Sequence, residues 1–278
     1  MMAKRPEYIH ERMGGQISPG QIAEYVLVPG SEKRADQFAS LWDEAEKIAH
    51  HYEFLVYTGK LSGIPISVCS TGIGGRSTGI AIDEMAGLGG KTFIRVGVTG
   101  GIQKNFKAGD LIISTGAVRM DKTSEHYVFI DYPAVADMEV VCALIAAAEK
   151  FGFSYHVGIS ATSSSFYAGE GTTCYNGYRH SGMDSIEADL RAANVLDWDT
   201  ETATILTLCS LYGLRAGRIN TVVDDPETGL YNPIGEQNAM QTALEAVKIL
   251  AAWDKQKQEK GMRYALPAYP ARAHSMHS

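Results

Sequence analysis

An arginine inside an apolar run is the first residue of this sequence whose chemistry demands a partner. The run is TFIRVGVTGGI, residues 92–102, and the arginine is Arg95. A guanidinium keeps its charge at any physiological pH, and burying it alone costs several kcal/mol. Alternate side chains of a strand share a face, so Phe93, Arg95, Gly97 and Thr99 point one way and Ile94, Val96 and Val98 the other. The Arg95 face carries a cation, a position without a side chain and a hydroxyl, and the strand is expected to break at Gly100-Gly101. That surface suits an anion lying against the strand end. A carboxylate from elsewhere in the chain, closing an internal ion pair, suits it equally.

A second arginine, Arg34, stands in a glycine turn, VPGSEKR (28–34), and a further glycine-rich segment, STGIGGRST, covers 70–78. Glycine after a strand lets the backbone turn sharply and brings N–H groups close to a ligand, and a helix N-terminus adds a favourable dipole for an anion. Ser31 is placed to cap the helix that follows. Two arginines tied to two such turns strengthen the ligand reading. Other chemistries find little support: GIGGRS lacks the GxGxxG spacing, no GxxxxGK[ST] occurs, the histidines have no evident nucleophile partner, and His50-His51 and the scattered cysteines lack zinc-ligand spacing.

The elements that must position these residues follow from periodicity. Short β-branched runs at 25–28, 64–70, 92–98, 111–114, 156–162 and 217–223 alternate with helix-period segments at 31–42, 76–88, 135–151, 201–213 and 235–258. That alternation predicts an α/β fold, a single domain over 1–260 with a central mixed β-sheet flanked by helices. The segment 261–278, with its two histidines His274 and His277, has no periodicity and is expected to be a flexible tail. The chain has 278 residues, 45% of them hydrophobic, and a net charge of −7, which argues against nucleic acid as a partner. The N-terminus lacks an apolar h-region and the longest apolar run is too short to cross a bilayer, so no membrane partner is expected and the cytoplasm is the expected location. Cys69, Cys142, Cys174 and Cys209 have no CxxC spacing and read as buried free thiols.

Taken together, VPGSEKR, CSTGIGGRST, TFIRVGVTGGI, FIDYPAVADME (129–139), SSSFYAGE (163–170) and DWDTETATILTLC (197–209) resemble the nucleoside phosphorylases of the uridine phosphorylase type, in the family's order from about residue 20 to 255. The resemblance implies a homohexamer built from dimers and a reaction with two small-molecule partners, a nucleoside and inorganic phosphate. Phosphate attacks the ribosyl C1′, giving ribose 1-phosphate and a free base. No cofactor is required. Residue by residue, it implies phosphate contacts from Gly30, Arg34, Arg95 and Thr99, ribose contacts from Thr200 and Glu201, and packing of Phe166 near base and sugar. It brings Tyr52 and His10 from a neighbouring subunit, and in some bacterial members the positions of Glu53, Ile73 and Ser77 bind a structural potassium ion between subunits.

The chain also departs from that pattern. Val98 replaces a hydroxyl residue that contacts phosphate, and HHYEF (50–54) places Tyr52 where an arginine is usual. In the base site, Glu170 and Thr172 stand for a Gln and an Arg. An ionised Glu170 accepts hydrogen bonds and cannot donate, which favours a base presenting N–H groups over the carbonyl of uracil. Asp224, in TVVDD, matches the aspartate that protonates purine N7 in the purine-specific branch, so Arg95 and Asp224 are the expected catalytic pair. The base is therefore open between uracil, a purine and a modified base. A nucleosidase, which would have no use for an anion clamp, and a non-catalytic nucleoside- or anion-binding protein are the competing readings.

Overall fold

The computed structural model describes residues 17–224 and 230–265. β1 (Tyr25–Pro29) is buried along its whole length, and α1 (Glu32–Ser40) starts where the Ser31 hydroxyl accepts from Arg34 N. A hairpin of β2 (Glu44–His51) and β3 (Phe54–Leu61) follows, then β4 (Ile64–Cys69), α2 (Gly75–Leu88) and β5 (Thr92–Gly101). The next stretch holds β6 (Leu111–Met120), α3 (Thr123–Tyr127), β7 (Ala134–Val135), α4 (Met138–Phe151) and β8 (Tyr155–Ser163). Short 3₁₀ turns lead to α5 (Ile186–Ala192), and β9 (Asp197–Asp199), α6 (Thr202–Leu211), β10 (Arg215–Val222) and α7 (Glu236–Lys260) complete the fold.

The strands make one mixed sheet in the order β10-β6-β8-β9-β5-β1-β4-β3-β2, with β7 paired to β6. β10 pairs in addition with β5, in parallel, so the pairings β5–β10–β6–β8–β9–β5 close on themselves. Both faces are covered, which explains the unbroken apolar runs. Leu27, Ile94 and Ile219 pack against Phe38 of α1, Leu144 of α4 and Val247 of α7. Val26, Val28 and Phe93 pack on the other side against Ile82 and Met85 of α2 and Leu206 of α6. α6 is buried over Thr202–Cys209 and therefore shows no polar stripe.

The α/β expectation holds, with corrections of extent. Gly100 and Gly101 do not break β5: they pair with Trp198 and Asp197 of β9. A Cβ on Gly100 would crowd Asp224 Oδ2 at 3.2 Å, while Trp198 of β9 would stay at ordinary contact distance. The hairpin β2–β3 was not anticipated, because EAEKIAHH is a mostly exposed strand at the sheet edge. The helix expected from 135 begins at Met138, since Ala134–Val135 pairs with β6 and the Asp137 side chain caps α4 by accepting from Val140 N at 3.1 Å. All four cysteines are free, but only Cys69 and Cys209 are buried; Cys142 and Cys174 are half-buried. Beyond α7, Ala265 N donates to Glu139 Oε1 at 2.8 Å. His10, His274 and His277 lie outside the described residues. Among those described, no helix is long and apolar enough to cross a membrane.

Candidate active site

A cavity of about 570 Å³ opens at the C-terminal ends of β5 and β10. Ligand crevices of α/β sheets form at this end, where strands run out and loops diverge. Arg95, Thr99, Phe166, Glu170, Thr172, Thr200, Glu201 and Asp224 all line it, with Ile73, so most residues expected at the anion, sugar and base share one space, Gly30 and Arg34 excepted.

Arg95 resolves the question its sequence raised. Its Nη2 lies 2.7 Å from Glu201 Oε2, and the two side chains are 7% and 3% exposed. The cation therefore has an internal carboxylate partner and still lines the cavity. Its Nη1 reaches Val28 O and Thr71 Oγ1 only at 3.3 Å each, and its buried Nε has no hydrogen-bond partner. Gly30 backs the guanidinium: a Cβ there would lie 3.4 Å from both Nη1 and Nη2. Arg34 does not line the cavity; its Nη2 pairs with Glu236 Oε2 at 2.8 Å, at the start of α7. The bare position at Gly97 is not ligand space, because a Cβ there would meet Asn220 Oδ1 at 2.8 Å. Thr99 donates its hydroxyl to Trp198 O.

The β9–α6 turn builds the sugar side. Glu201 Oε1 accepts from Gly74 N at 2.7 Å and from Thr200 Oγ1 at 2.6 Å, so both carboxylate oxygens are fixed. Asp199 is occupied as a cap: it accepts from Thr202 N at 3.1 Å and Thr162 Oγ1 at 2.9 Å.

At the other end, Glu170 closes a 3₁₀ turn, Ala168–Glu170. Burial first, then the charges of Asp199, Glu201 and Asp224, push its carboxyl up to about 8. A carboxyl raised to about 8 favours its neutral form at neutral pH, and in that form it donates and accepts, as an amide does. Asp224 Oδ1 accepts from Gly101 N at 3.1 Å, and Asp224 bridges to Tyr231. Phe166 is no core residue; it is 62% exposed at the cavity and meets Tyr167 edge-on.

Tyr52, Glu53 and Ser77 do not line the cavity. Tyr52 sits at the tip of the β2–β3 hairpin at φ 50 and is 62% exposed. Ser77 is the serine of Gly75-Arg76-Ser77-Thr78-Gly79, which spells a Gly-x-Ser-x-Gly. Those residues form the first turns of α2, and the Ser77 hydroxyl is directed to Gly74 O at 3.4 Å rather than presented at the apex of a turn. Glu187, Trp198 and Tyr231 line the cavity without having been anticipated. Only Trp198 left a trace in the sequence, as the aromatic between two aspartates in DWD.

A family model described as "Phosphorylase superfamily" matches residues 24–252. A uridine phosphorylase of Thermococcus kodakarensis is 50% identical over 263 residues, covering 94% of this chain and 95% of the relative. A uridine phosphorylase of Escherichia coli is 40% identical, over 83% of this chain and 90% of the relative. A guanosine phosphorylase of Halorubrum lacusprofundi is 34% identical, over 80% and 83%.

Proposed function

The chain belongs to the phosphorylase superfamily as a nucleoside phosphorylase of the uridine phosphorylase type, and we propose that its substrates are uridine and inorganic phosphate. The observation that carries this reading is the Arg95–Glu201 pair at 2.7 Å on the cavity wall. It sets an anion contact beside a sugar contact, which is what attack of phosphate on C1′ requires. Phosphate oxygen forms the new bond to C1′ as the C1′–N bond breaks, and the electron pair leaves with the base. Positioning supplies most of the rate in such a step, and a guanidinium is suited to orient phosphate because it offers parallel N–H donors.

Glu170 supports uracil as the base. A protonated carboxyl presents one donor and one acceptor, matching a carbonyl beside an N–H, and its O–H stabilises the charge that develops on the leaving base. The residue roles carried over for Gly30, Arg34, Thr99, Thr200 and Phe166 belong to the same proposal. So does a potassium ion at Glu53, Ile73 and Ser77, an oxygen-rich set once backbone carbonyls are counted. A Cβ on Gly72 would lie 2.8 Å from Glu53 Cγ, so Glu53 already packs against the turn that bears Ile73. Assembly through dimers is supported by Tyr52 at its exposed hairpin tip and by Ile73, 84% exposed at the cavity rim.

The test is a panel of nucleosides incubated with and without phosphate, with ribose 1-phosphate and free base quantified. Uridine is expected to be cleaved fastest and only with phosphate. Faster cleavage of a purine nucleoside would move the base contact to Asp224. Cleavage without phosphate would make the enzyme a nucleosidase, and binding without any product would leave a binding protein.

A further inference from the structure

Arg218 of β10 stands directly opposite Arg95 of β5 in parallel register, so the two guanidinium groups leave the same face of adjacent strands. Arg218 is wholly buried, with 0% exposure. Like charges side by side repel, and neither can be discharged by losing a proton. The segment Asp197-Trp198-Asp199-Thr200-Glu201 answers them with carboxylates at alternate positions. Arg218 Nη1 lies 2.6 Å from Asp197 Oδ2, and its Nε lies 3.7 Å from Asp199 Oδ2. Arg95 takes Glu201.

Asp199 faces the cavity, and the turn it caps is what aims Glu201. Glu201 N donates to Asp199 Oδ1 at 3.3 Å, and the Thr202 hydroxyl donates to Asp199 Oδ2. Arg218 thus sits beneath the turn, and the same Nη1 that faces Asp197 donates to Ser114 Oγ at 3.0 Å and Ser160 Oγ at 2.9 Å. We propose that Arg218 is a positioning residue for the reaction: with Asp197 it holds Asp199 in place, and through the capped turn it keeps Glu201 set against Arg95 and the sugar. Without it, the charges of Asp197 and Asp199 compete with Glu201 for Arg95. The inference rests on the phosphorylase reading of the same cavity.

An ion pair of purely structural use can be exchanged for neutral groups of similar shape at little cost, whereas removing one partner strands the other. The double variant Asp197→Asn/Arg218→Met removes both charges together and tests position rather than folding. Its melting temperature is expected to stay close to that of the parent, its nucleoside KM to rise about tenfold or more, and its phosphate KM, coupled through Arg95, to change less than the nucleoside KM. An unchanged nucleoside KM in the folded variant overturns the inference, and so does an equal fall in kcat/KM for both substrates, the mark of lost active protein. Should the double variant not fold, Arg218→Lys keeps the charge near Asp197 while withdrawing Nε from Asp199. A nucleoside KM raised more than the phosphate KM supports the inference, and parental kinetics overturn it. Parental protein inactive on every nucleoside overturns the phosphorylase reading itself. Calorimetric uridine affinity of the same proteins then decides Arg218: weaker binding in the variant supports the role, and equal binding overturns it.

Discussion

Arg95 and Glu201, which stand 106 residues apart in the sequence, meet as one ion pair at 2.7 Å on the wall of the cavity. The contact proposed for phosphate and the contact proposed for ribose are therefore coupled. Glu201→Ala leaves a nearly enclosed guanidinium without its counter-charge, which costs about 3–5 kcal/mol of stability. Phosphate is an anion of the right shape to replace the carboxylate. Thermal melts with and without phosphate are expected to show a larger phosphate stabilisation in Glu201→Ala than in the parent, alongside a strong loss of turnover. Equal phosphate effects in the two proteins would separate Arg95 from phosphate binding.

Arg34 carries a competitor rather than a free hand. Its partner Glu236 is a third exposed, and the pair at 2.8 Å is of the partly solvated kind worth ~0.2–1 kcal/mol. Glu236→Gln removes an anion from the place where phosphate would need Arg34. The phosphate KM is expected to fall by up to about threefold, the lower half of what that energy range allows, with the nucleoside KM unchanged. Initial-rate kinetics with each substrate varied in turn measure both. A rise in the phosphate KM would show that Glu236 holds Arg34 in its working position.

Local pattern carried the positions of β1, β4, β5 and most helices, because strands covered on both faces have continuous apolar runs and helices have period. It failed at β2, where EAEKIAHH is a polar edge strand whose pairing is decided by β3 and not by its own composition. It failed at Gly100-Gly101, where glycine suggests a break and the strand instead runs on, paired with β9. Arg95 announced itself by being charged inside an apolar run; that its partner is Glu201 could be seen only once β5 and the β9–α6 turn were side by side. Arg218 passed unremarked in RAGRINTVV, where a charge near a strand start reads as a surface residue. Glu170 shows the limit most directly. Its proton is held by burial and by Asp199, Glu201 and Asp224, which the fold brings to it from two distant segments.

Arg119 makes a prediction about stability alone. Its Nε donates to Ser124 Oγ at 3.0 Å, its Nη1 to Phe129 O at 2.7 Å and Tyr132 O at 2.6 Å, and its Nη2 to Val128 O at 3.0 Å. A planar fork makes these bonds at once, and a lysine cannot. Arg119→Lys is expected to cost about 1–3 kcal/mol, the loss of at least two hydrogen bonds to partly buried carbonyls. Denaturant unfolding reads the loss, and hydrogen exchange should localise it to residues 128–132. Midpoints that coincide with the parent's would mean that the loop holds its shape without the clamp.

Glu170 predicts how both activity and stability change with pH. Its carboxyl, ordinarily near 4.5, is pushed up to about 8 in the folded protein. The folded state therefore holds this proton more tightly than the unfolded chain. The contribution to stability is fully present below about 4.5 and is lost as pH rises toward 8, because only the unfolded chain ionises freely in that window. For catalysis the neutral form is the useful one, since it alone donates to the leaving base. The kcat/KM for uridine is expected to fall as pH rises through about 8. Glu170→Gln keeps a donor and an acceptor at every pH, so its profile should lose that alkaline limb and its stability should fall less between pH 4.5 and 8 than the parent's. Glu170→Asp is the control with a titratable group withdrawn by one methylene, and it should keep a limb while losing rate. An alkaline limb that survives unchanged in Glu170→Gln would assign it to another group and remove the argument for uracil that rests on this residue.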